Sequence, residues 1–263
     1  MKRYIVFLKQ VPLSTKVEMD PVTRTLKRSS AMTRTNPDDL YALQLAVKLK
    51  RQTEAEIVAV SMGPASAEEV LREALQRGAD KAVLLSSKAF AGSDTWCTSL
   101  VLAAAVRKLG EYDLLLFGKM AVDGDTAQIG PELAGAFEIP CVTDVSCVQS
   151  AGFTTCGSLA LVHGCDAGEE TVYLEMPCAM TTAKEIGQLR MPSIAGIRAA
   201  EEADVRVVSA ADVNADPARC GLAGSPTQVV RSFVPDRDQT CEAVEGTRSE
   251  ERRVGKECLR LCR

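Results

Sequence analysis

A chain of 263 residues with one histidine, one tryptophan and only 4% aromatics has few of the groups that mark several common activities. So few stacking faces argue against a single-strand nucleic-acid platform. The formal net charge of −4, with no basic run before the last residues, argues against nucleic acid altogether. The lone histidine, His163, has no partner histidine for a metal set, and Ser-His-Asp chemistry would have to run through it. Its place in the pattern is a hairpin tip, and it reads as a surface turn residue. No C-x-x-C occurs among the ten cysteines; Cys97, Cys141, Cys147 and Cys178 sit in or beside apolar runs, as reduced core thiols do. No strand is followed by G-x-G-x-x-G, and Gly255-Lys256 runs into Glu257 without a P-loop. A Ser-Gly-Gly pyrophosphatase turn after the first strand is missing too, and no carboxylate pair stands out as an acid/base dyad. No apolar stretch approaches the ~18 residues of a membrane span, and MKRYIVFLKQVP is too short for a signal peptide, so the expectation is a cytoplasmic protein.

What is present is the composition of a globular chain, 46% hydrophobic and 25% charged. Its pattern centres on residues 112–131, YDLLLFGKMAVDGDTAQIGP. The run Leu114–Phe117 reads as a strand buried on both faces. Gly118 closes it, and the polar turn Asp123-Gly124-Asp125-Thr126-Ala127-Gln128 leads through Gly130-Pro131 into a helix expected over 132–137. In an open parallel sheet, ligands bind past the carboxyl ends of strands, where helix N-termini offer unpaired N–H groups and a dipole suited to phosphate. Gly124 and Ala127 leave room for a ligand, and the Asp and Thr oxygens suit ribose or base. An ordinary capped strand-to-helix loop uses the same residues.

Around this stretch the chain alternates strand and helix. Residues 2–11 read as a first strand with a polar carboxyl end at Lys9-Gln10, and 13–35 as an excursion or small hairpin. Asn36-Pro37-Asp38-Asp39 opens a helix that ends near Gln52, with Asn36 a good N-cap and the acids beside the positive end of the dipole. Further strands are expected at 56–61, 82–86 and 141–148, and helices at 66–77, stopped by Gly78, and at 95–109, capped by Ser93 or Asp94. This order predicts an α/β fold, a parallel sheet with helices on both faces. Beyond residue 150 come an antiparallel hairpin (158–163 and 171–174), an apolar run at 178–182, an irregular surface stretch at 186–199, a late strand at 205–208 and a glycine-punctuated loop at 221–227. Residues 248–263 hold five arginines and one lysine with only a poor apolar face. They resemble translated vector or adapter sequence and are set apart as non-native.

Asn36-Pro37-Asp38-Asp39, Ser61-Met62-Gly63-Pro64, Gly78-Ala79-Asp80 and the run from Gly118 to Pro131, in order over residues 1–246, resemble the β subunit of electron transfer flavoprotein. The resemblance implies a Rossmann-like domain similar to adenine-nucleotide α hydrolases over 1–185, and a recognition loop and extended C-terminal arm over 186–247. It implies an α-subunit partner carrying a redox FAD, and an adenine nucleotide in the β subunit: AMP in the housekeeping branch, a second FAD in the electron-bifurcating branch. The loop spelling VDGDTAQIGP, with Phe90–Thr95 and Gly224–Thr227, is similar to the FAD branch. Carried over, the nucleotide contacts fall on Phe7, Asn36, Asp39, Met62, Lys119, Ala121, Asp123, Gly124, Asp125, Thr126, Ala127, Gln128 and Gly130. The partner-recognition loop falls near Arg190 to Arg198, with Ile194 at its apolar tip. The family pattern has a basic residue where His163 stands, Gly or Asp where Ala167 stands, a lysine-rich run where Ala199–Glu202 stand, and a closing helix where the arginine-rich tail begins.

On this resemblance the chain is an electron carrier whose complex would take electrons from NADH and pass them to ferredoxin or flavodoxin and to an acyl-CoA dehydrogenase-type flavoenzyme or quinone acceptors. Two alternatives stand beside it, an AMP-holding β subunit and a free-standing adenine-nucleotide-binding regulatory protein.

Overall fold

Short runs of Val, Ile and Leu become the strands, and amphipathic segments between them become the helices. The computed structural model describes residues 2–13, 32–149 and 158–230. The chain divides at Val229, and everything named here belongs to the first unit. Its strands are β1 (Arg3–Phe7), β2 (Gln10–Pro12), β3 (Thr33–Thr35), β4 (Glu56–Met62), β5 (Lys81–Leu85), β6 (Leu114–Gly118), β7 (Cys141–Val148), β8 (Ser158–Cys165), β9 (Gly168–Glu175), β10 (Cys178–Thr182) and β11 (Val205–Val208). Its α-helices are α1 (Pro37–Thr53), α2 (Glu68–Arg77), α3 (Thr95–Leu109), α4 (Ile129–Phe137), α5 (Ile194–Glu202) and the single turn α6 (Gly221–Gly224).

Nine strands form one sheet in the order β11-β5-β4-β1-β6-β10-β7-β8-β9, while β2 and β3 pair as a separate antiparallel ribbon. The sheet is parallel from β11 through β7 and antiparallel at β8 and β9. The chain builds outward from β1 to β4 and β5, then returns to lay β6 against the other side of β1. That reversal opens a crevice at the carboxyl ends of β1 and β6. The α/β prediction therefore holds.

Two apolar layers cover the sheet. Tyr4, Val6, Leu114 and Leu116 face α1 and α2, whereas Ile5, Phe7, Leu115 and Phe117 face α3 and α4. Leu114, Leu115 and Leu116 are completely buried, and each contributes about 1.5–3 kcal/mol of transfer free energy. Pro37 with Asp38 and Asp39 starts α1. Gly78, at φ 117°, stops α2 in the left-handed cap only glycine takes freely. Asp94 caps α3 by accepting from the Cys97 N–H at 3.0 Å.

Several expectations need correction. The run at 178–182 is the fully buried strand β10, inserted in parallel between β6 and β7, so β7 does not neighbour β6. The first strand ends at Phe7, because from Gln10 the backbone pairs with β3 instead. Helix α4 starts at Ile129, three residues earlier than expected, which leaves Pro131 within its first turn. The stretch 186–199 is not irregular throughout: Ser193 caps α5 by accepting from the Gly196 N–H at 3.0 Å. The hairpin is longer, and only Asp166-Ala167 turn it, so His163 lies within β8, its Nε2 2.8 Å from Glu170 Oε1. Cys147 is exposed, unlike the buried Cys97 and Cys178. The tail 248–263 and most of the 13–35 excursion lie outside the described residues.

Candidate functional site

The crevice begins with two rings. Phe7 ends β1 and Phe117 nearly ends β6, and their rings stack in parallel with centroids 4.5 Å apart and planes 2° off. Met62, the last residue of β4, packs into the same apolar layer. Gly130 in the first turn of α4 lies against this floor: a Cβ there would stand 2.7 Å from Thr181 Cγ2 and 3.4 Å from the Phe117 ring. Any larger residue would push the N-terminus of α4 off the sheet.

A latch of hydrogen bonds ties three distant segments together at the same carboxyl edge. The Asn36 N–H donates to the Lys9 carbonyl at 2.9 Å. The Asn36 side-chain amide donates from Nδ2 to the Met120 carbonyl at 2.9 Å, and its Oδ1 accepts from the Val122 N–H at 3.2 Å. Asn36 stands at the N-cap position of α1 but makes no side-chain cap bond, so its amide ties the 120–122 loop to the Asn-Pro corner instead. Lys9 Nζ meets Asp123 Oδ1 at 2.6 Å, and Lys119 Nζ meets Asp144 Oδ2 at 2.9 Å. The opening turn after β1, the Asn-Pro corner and the glycine-aspartate bend thus converge on one place.

Asp39 closes the latch from inside. Its Oδ2 accepts from the Lys9 N–H at 2.8 Å, and the Gly118 N–H also bonds it. Burial pushes its carboxyl up to about 7, against the pull of the Asn36, Lys9 and Gly118 hydrogen bonds. The neighbouring Asp38 is raised as well, chiefly by burial. Gly118 is required here, since a Cβ would stand 2.6 Å from backbone atoms of Asp38 and Asp39.

Ala121 through Gln128 form the rim. Gly124 and Asp125 both donate their N–H to the Ala121 carbonyl, at 3.2 and 2.8 Å. Asp125 and Ala127 take left-handed φ values of 49° and 53°, which turns successive peptide groups outward. Asp123, Gly124, Asp125, Thr126, Ala127 and Gln128 are all exposed. Neither Thr126 nor Ala127 gives its N–H to another group among the described residues. Around the mouth, Asp123 and Asp144 are already matched by Lys9 and Lys119. Free N–H groups ahead of a helix N-terminus suit a phosphate, and acids at the rim suit hydroxyl donors. The donor set therefore fits a phosphorylated ligand that carries hydroxyl groups.

All the sequence-expected nucleotide residues, from Phe7 to Gly130, lie at this carboxyl edge. Among them, the Asp39 carboxyl is spent inside the chain and that of Asp123 is paired with Lys9. Arg190, Ile194 and Arg198 lie elsewhere. The Arg190 carbonyl accepts from Arg77 at the end of α2, at 2.7 Å, and α2 ends at the opposite edge of the sheet. Ile194 is 75% exposed at the start of α5. Sequence reasoning passed over Lys9 as a side chain, and over the contact of Thr181, a threonine in keeping with the family pattern, whose Oγ1 accepts from the Asp144 N–H at 3.0 Å. Lys9 was detectable as the cation at a strand's carboxyl end. Thr181 was not, because nothing local marks the strand it belongs to as a neighbour of β6.

Residues 23–213 match the family described as "Electron transfer flavoprotein domain". The chain is 40% identical over 247 residues to the caffeyl-CoA reductase-Etf complex subunit CarD of Acetobacterium woodii, covering 93% of this chain and 92% of that one. It is 42% identical over 228 residues to the electron transfer flavoprotein subunit beta of Clostridium acetobutylicum, covering 87% and 86%. Protein FixA of Azorhizobium caulinodans is 40% identical over 239 residues, with 88% and 84% covered.

Proposed function

The chain belongs to the electron transfer flavoprotein family as a β subunit, and from that premise we propose that its carboxyl-edge crevice holds the adenine nucleotide half of an FAD. β subunits of this family act with an α subunit in electron transfer. In this reading the complex is cytoplasmic and passes electrons from NADH to ferredoxin or flavodoxin and to an acyl-CoA dehydrogenase-type flavoenzyme. No helix among the described residues is long and apolar enough to cross a membrane.

The observation that carries the reading is the convergence of Lys9, Asn36 and the 120–123 loop at the carboxyl ends of β1 and β6. The flavin, when bound, supplies one- and two-electron redox chemistry. The chain's own residues bind and orient it. Outward N–H groups of the rim and the N-terminus of α4 take the phosphates. Asp125 and Thr126 face hydroxyls, and the apolar floor excludes water. A relative named as a subunit of a reductase-Etf complex supports a flavoenzyme acting on CoA thioesters as the docking partner, through the region of Arg190, Ile194 and Arg198.

A flavin count tests this. The chain co-purified with its α subunit should carry about two FAD per heterodimer. One FAD together with one AMP would replace this reading with the housekeeping form. A stable self-dimer indifferent to the α subunit would replace it with a regulatory protein.

A further inference from the structure

We propose that Thr95 and Glu132 are positioning residues that turn the Gln128 amide so that its carbonyl oxygen faces the crevice and accepts from a hydroxyl or amino group of the nucleotide. The proposal rests on the nucleotide reading above and adds to it the chemical polarity of one contact.

Thr95 is the first residue of α3, Gln128 stands at the N-cap position of α4, and Glu132 lies in the first turn of α4. Thr95 Oγ1 is 3.0 Å from Gln128 Oε1 and 3.1 Å from Glu132 Oε1. A threonine hydroxyl has one proton and cannot donate to both oxygens. A carboxylate is the stronger acceptor, so the proton goes to Glu132. Glu132 cannot swing away to relieve the conflict, because its Oε2 accepts from Ser99 Oγ at 2.7 Å and Ser99 is 2% exposed. Gln128 Oε1 would then face only a lone pair of Thr95.

A half-turn of the amide removes the clash. Gln128 Nε2 then donates to Thr95 Oγ1, Thr95 donates to Glu132, and Ser99 donates to the other carboxylate oxygen. Every group in the chain Ser99–Glu132–Thr95–Gln128 is satisfied, and the direction is fixed by the carboxylate at its end. Gln128 Oε1 is left pointing away from Thr95, on the exposed residue that closes the rim. An oxygen there can only accept, so the ligand group it meets must be a donor. Ribose hydroxyls and the adenine amino group qualify; a phosphate does not.

The test uses the heterodimer with its α subunit, stripped of nucleotide and titrated with AMP by calorimetry. Gln128→Ala and Thr95→Val should each weaken AMP about tenfold, the size of one buried hydrogen bond. The double variant should be no weaker than either single one, and Thr95→Ser should restore binding. Among 2′-deoxy-AMP, 3′-deoxy-AMP and inosine monophosphate, one should bind the unaltered protein about tenfold more weakly and be indifferent to Gln128→Ala. The proposal is overturned if Thr95→Val shifts only the melting temperature, if the two losses multiply, or if no analogue loses its sensitivity. If the unaltered heterodimer binds neither AMP nor FAD, the crevice reading itself falls, and the proposal falls with it.

Discussion

Replacing Asn36 separates a ligand-site latch from a plain helix cap. Asn36 is fully buried, and its amide bridges the Met120 carbonyl and the Val122 N–H. Asn36→Ala removes both bonds, together with the one its side chain makes to Asp39. Each is worth about 0.5–1.5 kcal/mol net, and Met120 and Val122 are exposed enough for water to recover part of the loss. The expected cost is therefore about 2 kcal/mol, or about 4–8 °C in melting temperature for a unit of this size. Asn36→Asp should cost more than Asn36→Ala, since an oxygen would then face the Met120 carbonyl and a charge would be buried. The discriminating variant is Asn36→Ser. Serine caps a helix as well as asparagine does, yet it is too short to reach both loop groups. The latch therefore predicts no rescue, with bound nucleotide falling in step with stability. The assays are thermal unfolding of the heterodimer and nucleotide released on denaturation. Full rescue by serine, or a melting temperature for Asn36→Ala within about 1 °C of the unaltered protein, would refute the argument.

Asp39 makes stability depend on pH in an unusual direction. Its carboxyl titrates near 3.8 when unfolded and is pushed by burial to about 7 when folded, so between those values the folded state holds the extra proton. Stability should fall as pH rises through that window, by about 2 kcal/mol from pH 5 to 7, and level off above. Denaturant titrations at several pH values would show it, and Asp39→Asn should flatten the slope; a profile unchanged in that variant would remove Asp39 as the cause. Gly118→Ala should cost about 1–3 kcal/mol or more, because its Cβ meets unyielding backbone of Asp38 and Asp39 at 2.6 Å. Gly124→Ala, with nothing within 4 Å, should stay within about 0.5 kcal/mol; equal effects of the two in thermal unfolding would contradict this account of the rim.

The sequence alone determined the things that depend on near neighbours. Runs such as Leu114–Phe117 become buried strands whatever lies beside them, Pro37 and the acids after it start α1, and Gly78 stops α2. The family resemblance placed the expected nucleotide contacts on strand ends, and the fold brings those ends to one edge. Tertiary structure decided what depends on partners far along the chain. β10 is central rather than peripheral because its parallel neighbours lie 64 and 38 residues before it, and no local pattern encodes a neighbour. Asn36 carries the residue type of a cap, yet its amide is taken by a loop more than eighty residues away. Asp39 resembles a ligand-facing acid in sequence, and only burial against Gly118 turns its carboxyl inward. Local propensity is set by a residue and its few neighbours, whereas the use of a polar side chain is set by whichever unpaired group folding brings within reach.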